Sequence, residues 1–180
     1  RGVNSWNGDV VIHSNTKGQR TTYSTDLLTK AALNAIRIYQ PQWYSNQRPF
    51  FLYLSYTAPH ANNQLAQKAG NGMEVPTDFP YSGEKWPRPE RNKAAMITRL
   101  DTAVGQIMAK LKEYKLDEDT LVLFTSDNGP AITNAHPHGS TGGLRNKKGS
   151  VYEGGIRVPG ILQWPRVHRT SQVLDVPISG

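Results

Sequence analysis

Two side chains with oxygen ligands follow an apolar run in the second half of the chain. Leu121–Phe124 contains only apolar residues, which predicts a buried strand, and Asp127, Asn128 and Gly129 come shortly after it. A carboxylate and a carboxamide are hard oxygen ligands that suit a calcium ion, and open α/β sheets build their sites at the carboxyl ends of strands. The same three residue types also form ordinary turns. On this pattern alone, a metal site and a turn both remain open.

A histidine and a lysine are the next candidates for chemistry. His60 follows Pro59 just beyond another apolar run, and Lys148 lies in a basic loop that begins at Arg145. A histidine can donate or accept a proton near neutral pH, and a lysine can hold an anion. However, an isolated histidine is often structural, and a loop lysine is usually solvated. Neither residue identifies a site by itself.

Two other groups of residues leave similar alternatives. His136 and His138 share one loop, where they could either bind a metal together or serve no site. The segment Tyr152–Gly155 ends in two glycines, which are favoured where the backbone turns tightly or passes close to another group. Structural and functional explanations of these glycines are equally open.

Hydrophobic periodicity predicts the elements that must position these residues. Apolar residues at helical spacing predict one helix over residues 25–40, ended by Pro41, and a second over residues 92–111. The run Phe50–Tyr56 predicts a strand buried on both faces of a parallel sheet. Ile156–Trp164 predicts a further strand, interrupted by Pro159-Gly160. This alternation favours an α/β fold, a layered sheet covered by helices.

Two regions lack periodicity. We predict that residues 61–92 form a long loop that lines a substrate cleft, and that residues 130–144 form another loop.

Composition limits the class of protein. The 180 residues can bury one core, and no apolar stretch is long enough for a membrane span, so we expect one globular domain over residues 1–180. A net charge of +7 favours anionic partners, but the scattered basic residues argue against a nucleic-acid partner. The absence of cysteine excludes disulfides and thiolate metal sites. Because Arg1 opens without a start methionine, we expect a fragment of a larger protein.

The combination of motifs is more specific than any one of them. Thr57–His60, Thr98–Gly105, Phe124–Gly129 and Lys148–Pro159 occur in one order, and together they closely resemble the formylglycine-dependent sulfatases of the arylsulfatase and N-acetylgalactosamine-6-sulfatase type. The resemblance extends from Tyr23 to Pro165. It implies an alkaline-phosphatase-like fold, with a mixed sheet between helices and a calcium ion at the carboxyl edge of the sheet.

The resemblance also implies roles for individual residues. Asp127 and Asn128 match two calcium ligands, His60 matches the catalytic histidine that contacts the sulfate or its leaving oxygen, and Lys148 matches the catalytic lysine that holds a sulfate oxygen. We include His138 among the substrate-binding candidates. Such cationic groups suit the charge that develops on a departing alkoxide.

One essential family feature is absent from the sequence. The family's nucleophile is a hydrated formylglycine made from the first residue of a C/S-x-P-x-R motif, which this chain lacks. We therefore expect an inactive middle portion of a sulfatase that acts on a sulfated carbohydrate or an aryl sulfate. The family's location would be periplasmic, secreted or lysosomal. A phosphomonoester or phosphonate ester hydrolase and a noncatalytic polyanion-binding domain remain as alternatives.

Overall fold

The computed structural model describes residues 21–46, 49–132 and 139–178, of which residues 41–46 are described by their backbone alone. The described residues up to Lys110 form one compact unit, and those from Leu111 onward form another. The elements in chain order are helices α1 (Ser24–Asn46) and α2 (Asn63–Ala69), a short 3-10 helix (Tyr81–Gly83), α3 (Arg88–Glu113), strand β1 (Val122–Phe124), α4 (Glu153–Ile156) and strand β2 (Ile161–Gln163). No helix in the described ranges is both long and apolar enough to cross a membrane.

Helix α1 confirms the first predicted helix but is longer than predicted. Ala32 and Ile36 are buried on one face, and Asp26 in the first turn complements the positive end of the helix dipole. The prediction that Pro41 ends this helix was wrong, because α1 continues to Asn46. A proline removes one backbone donor, while the other hydrogen bonds of the helix remain available.

The predicted loop over residues 61–92 also needs correction, because it contains α2 and the 3-10 helix. The side chain of Asn62 accepts a 3.1 Å hydrogen bond from the Leu65 N–H, and Gly70 ends α2 in the left-handed conformation. These are strong local signals for the two ends of a helix. With only seven residues, α2 is too short to show a periodic pattern.

Helix α3 confirms the second predicted helix and extends it at both ends. Its buried residues include Ala95, Met96 and Ala103, which recur at helical spacing. Met96 packs with Ala58 and Met73 in a small apolar cluster of the first unit. The helix thereby holds the segment that leads to His60.

The predicted buried strand over Phe50–Tyr56 was wrong for the described part of the chain. The segment has no strand assignment, and the side chains of Phe51 and Tyr53 are 92% and 81% exposed. A strand needs a neighbouring segment that pairs with its backbone, and its side chains become buried when helices or another sheet cover its faces. No described residue pairs with Phe50–Tyr56. Its end is nevertheless fixed to α1, since the hydroxyl groups of Tyr56 and Thr29 lie 2.8 Å apart.

The second unit contains a two-stranded antiparallel sheet. Strand β1 pairs with β2 so that Val122 faces Gln163 and Phe124 faces Ile161. The predicted burial of Leu121–Phe124 was wrong, because Leu123 is 62% exposed. The predicted strand Ile156–Trp164 is also shorter than expected: β2 begins only after Pro159-Gly160, which interrupt strand pairing.

Candidate functional site

The loop that follows β1 presents the predicted metal ligands. Asp127 is exposed, Asn128 is half-buried and Gly129 is buried. The Thr125 hydroxyl donates to the Pro159 carbonyl at 3.2 Å, and the Ser126 hydroxyl donates to the Asn128 carbonyl at 3.3 Å. These contacts fix the backbone on both sides of Asp127. The Asp127 backbone is therefore held in place just beyond the end of β1.

Three glycines hold this loop against α4, and we call Gly129, Gly154 and Gly155 the glycine cluster. The Gly129 N–H donates to the Gly155 carbonyl at 2.9 Å. A Cβ atom at Gly129 would lie 2.0 Å from the Gly154 carbonyl oxygen, and one at Gly154 would lie 2.0 Å from the Asn146 carbonyl oxygen. Only glycine permits such close backbone contacts. The two glycines at the end of Tyr152–Gly155 therefore have a structural role.

A backbone hydrogen bond joins Lys148 to the loop that carries Asp127 and Asn128. Its backbone N–H donates to the Pro130 carbonyl at 3.0 Å, two residues beyond Asn128. Its side chain is exposed and makes no ion pair with a described residue. The second unit therefore brings the backbone of Lys148 to the loop of Asp127 and Asn128, and leaves its ammonium group available for an anion.

Two contacts that the sequence did not predict stabilise the basic loop. The Arg145 guanidinium lies 3.6 Å from the centre of the Tyr152 ring, in a cation–π contact. The Arg145 carbonyl accepts a 2.8 Å hydrogen bond from the Gly154 N–H. Arg145 thus joins the basic loop to α4 through both its side chain and its backbone. An arginine and a tyrosine can form such a contact, but the seven-residue separation of Arg145 and Tyr152 in a loop does not predict it.

His60 belongs to the first unit. Its backbone N–H donates to the Thr57 carbonyl at 2.9 Å, and its Nδ1 lies 2.7 Å from the Ala61 carbonyl oxygen. Because a carbonyl can only accept, Nδ1 carries the hydrogen and Nε2 is left for another partner. The imidazole is exposed. Its predicted convergence with Lys148 stays a prediction.

The fit to calcium is partial. Asp127 and Asn128 offer the oxygen donors that calcium prefers, but a calcium ion takes six to eight such ligands. Within the described ranges, no group of three or more His, Cys, Asp or Glu residues could hold a metal ion. His136 and His138, the other predicted metal or substrate ligands, lie outside the described residues.

Comparison with known proteins decides the family. Residues 3–179 match the family described as Sulfatase. The chain belongs to the sulfatase family. This sulfatase chain is 35% identical to steryl-sulfatase of Homo sapiens over 144 residues, covering 75% of the chain and 21% of that relative. It is 34% identical to N-acetylgalactosamine-6-sulfatase of Canis lupus familiaris over 161 residues, covering 84% of the chain and 27% of that relative.

Solved structures show the sulfatase chain's fold. The crystal structure of Ps i-CgsB in complex with k-i-k-neocarrahexaose is similar, with a TM-score of 0.64 and 31% identity over 82% of this chain and 29% of that one. The sulfatase chain therefore has part of the alkaline-phosphatase-like sulfatase fold, in the form of helices and a two-stranded sheet. It spans about a fifth to a quarter of the length of the curated relatives described above.

Proposed function

We propose that this chain forms part of a sulfuric ester hydrolase that acts on sulfate monoesters of carbohydrates. One observation carries the proposal: the family match includes the whole of residues 121–159, where a single backbone framework joins Lys148 to the loop of Asp127 and Asn128. The name N-acetylgalactosamine-6-sulfatase and the saccharide in the Ps i-CgsB structure support a sulfated sugar as the substrate.

Lys148 would bind a sulfate oxygen. Its exposed ammonium group carries a positive charge without a described counter-ion, while its backbone is fixed at Pro130. A cation held in place before the reaction stabilises charge on the transferred group at little reorganisation cost. Because both the ester and its transition state carry that charge, Lys148 would bind both and so increase kcat/KM.

His60 would donate a proton to the departing alkoxide. The contact of Nδ1 with the Ala61 carbonyl places a hydrogen on that nitrogen and leaves Nε2 for the leaving oxygen. Nε2 would then carry the second proton and give it to the leaving oxygen. This role requires His60 to reach the ester oxygen in the complete protein.

Two groups would complete the site from outside these residues. A bound calcium ion, with Asp127 and Asn128 as two of its ligands, would supply positive charge at the sulfate. Formylglycine, which the family makes from a motif that this chain lacks, would supply the nucleophile. We therefore propose that the chain acts within a longer polypeptide and is inactive alone.

We also propose that the longer polypeptide has a complete mixed sheet between helices and is periplasmic, secreted or lysosomal. The exposure of Phe51, Tyr53 and Leu123 supports a larger mixed sheet, in which further strands of the longer polypeptide pair with these segments and helices cover their side chains. The periplasmic, secreted or lysosomal location rests on the family resemblance.

The function is tested by assaying the longer polypeptide on an aryl sulfate and on the matching aryl phosphate. We expect hydrolysis of the sulfate ester, and no turnover of either ester by the isolated 180-residue chain. Turnover of the phosphate alone would reject the sulfatase proposal. Multiple turnovers by the isolated chain would reject the need for an external nucleophile.

A further inference from the structure

The first unit contains a polar surface pocket of about 450 Å³ that the proposed reaction does not use. Residues 75–78 line it together with three residues from the start of α3, Arg88, Arg91 and Asn92. The volume is within the range of pockets that hold small ligands. The pocket lies within the segment predicted to line a substrate cleft.

Hydrogen bonds hold three of the lining residues in place. Arg91 donates through Nε to Asp78 at 2.9 Å and through a terminal nitrogen to the Trp86 carbonyl at 2.8 Å. The buried Asn92 side chain donates to the Met73 carbonyl at 2.7 Å. Because these side chains already have fixed positions, little of the binding free energy would be spent on ordering them.

Arg88 provides the charge that a ligand could use. Asp78 compensates the charge of Arg91, but the exposed Arg88 side chain has no ion pair or hydrogen bond with a described residue. The pocket lining therefore has one positive charge in excess. A guanidinium group presents several N–H donors in a planar fork, which matches two oxygens of a sulfate ester.

A pair of stacked aromatic residues is linked to the pocket lining, because the Trp86 carbonyl accepts the hydrogen bond from Arg91. Trp86 stacks on Tyr81 with the ring centres 5.6 Å apart, and the Trp86 residue is 40% exposed. The Tyr81 hydroxyl lies 2.8 Å from the Thr98 hydroxyl on α3, and this contact fixes the Tyr81 ring on which Trp86 stacks. A rigid indole beside polar groups can cover the apolar face of a sugar ring while its neighbours bind the polar substituents.

We propose that this pocket binds a sulfated saccharide unit, with Arg88 holding the sulfate and Trp86 contacting the sugar ring. The unit is bound without reacting, so this proposal does not depend on the proposed hydrolysis. The pocket would thereby give the protein affinity for a sulfated saccharide that it does not hydrolyse at this position.

The test measures equilibrium binding of a chondroitin 6-sulfate disaccharide to the longer polypeptide by calorimetry. All proteins carry Lys148→Ala, which weakens the candidate sulfate site of the second unit. Arg88→Gln should reduce the affinity on the order of tenfold, the loss expected for one charge-assisted contact. Lys30→Gln removes the same charge from an exposed residue of α1 outside the pocket and should leave the affinity unchanged. Equal affinities of the two variants would overturn the role of Arg88.

Two further comparisons test the chemistry of the ligand. The protein that retains Arg88 should bind the desulfated disaccharide on the order of tenfold more weakly than the sulfated one. Arg88→Gln should bind the two disaccharides with equal affinity. Trp86→Ala should reduce affinity for the disaccharide and leave affinity for inorganic sulfate unchanged. Equal binding of inorganic sulfate and disaccharide would overturn the saccharide assignment. Circular dichroism of each variant confirms that the helices are intact, and Arg88→Lys should retain an intermediate affinity.

Discussion

The backbone N–H of Gly129 donates a 2.9 Å hydrogen bond to the carbonyl oxygen of Gly155. This contact joins the loop that carries Asp127 and Asn128 to α4. The close backbone approach extends to Gly154, whose carbonyl oxygen leaves no space for a side chain at position 129. The position of the two candidate metal ligands therefore depends on a residue that has no side chain.

The first prediction concerns the glycine cluster. Gly129→Ala should lower the free energy of unfolding by about 1–3 kcal/mol, because the added methyl group would overlap the Gly154 backbone. Gly105→Ala is the matched control: its new methyl group meets open space on α3 and should raise stability by about 0.5–1 kcal/mol. Urea unfolding of both variants measures the difference. Equal effects would contradict the close packing at Gly129.

The second prediction concerns acid stability. Hydrogen bonds from Ser82 and Arg91 lower the pKa of Asp78 below its usual 3.8. The contribution of Asp78 to stability is therefore complete above the unfolded-state pKa and is lost as the pH falls through the folded-state pKa. Asp78→Asn should weaken the pH dependence of the urea midpoint between about pH 2 and pH 6. The same curve for Asp101→Asn, an exposed aspartate on α3, is the control; identical curves would contradict the prediction.

The long helices were the part of the fold most accessible from the sequence. The buried positions of α3 repeat over many turns, so periodicity alone located it. The run Phe50–Tyr56 gave the opposite result. Its apolar composition indicates a preference for burial, but it does not show which segments would pair with the strand or cover its side chains. Pairing partners are separate segments, and a single run cannot indicate whether they are present.

The candidate site was only partly accessible for a similar reason. The resemblance selected Asp127 and Lys148, but spacing could not reveal the backbone contact between Lys148 and Pro130. The pocket of the first unit depends on an ion pair between Asp78 and Arg91, thirteen positions apart and without a repeating pattern. Such contacts depend on the path of the loops between the helices and strands. The local conformational preferences of the residues do not determine that path.

The third prediction concerns calcium. In the longer polypeptide, Asp127→Ala should lower calcium affinity by at least about tenfold, a loss that even indirect substitutions at metal sites can cause. Calorimetry on protein first depleted of metal by a chelator measures this affinity. Asp101→Ala removes an equal charge from α3 and should leave calcium binding unchanged. An unaltered affinity in Asp127→Ala would identify the loop as an ordinary turn.

The fourth prediction concerns His60 as a proton donor. In the longer polypeptide, His60→Ala should reduce kcat/KM strongly for sulfate esters with poor alkoxide leaving groups, and much less for activated aryl sulfates. Only a poor leaving group depends on proton donation. A series of esters with graded leaving-group pKa values measures this dependence. A uniform loss across the series would reject proton donation by His60 and leave at most a contact with the sulfate.

The most direct test of the account is the effect of Lys148→Ala on sulfate ester hydrolysis by the longer polypeptide. Because Lys148 is proposed to hold a sulfate oxygen, kcat/KM should fall on the order of a hundredfold or more for both activated and unactivated esters, as for the loss of one preorganised donor. Lys112→Ala removes an exposed lysine from α3 and should leave kcat/KM unchanged. Equal kcat/KM values for Lys148→Ala, Lys112→Ala and the unsubstituted protein would contradict the claim that this chain supplies the sulfate-binding part of the site.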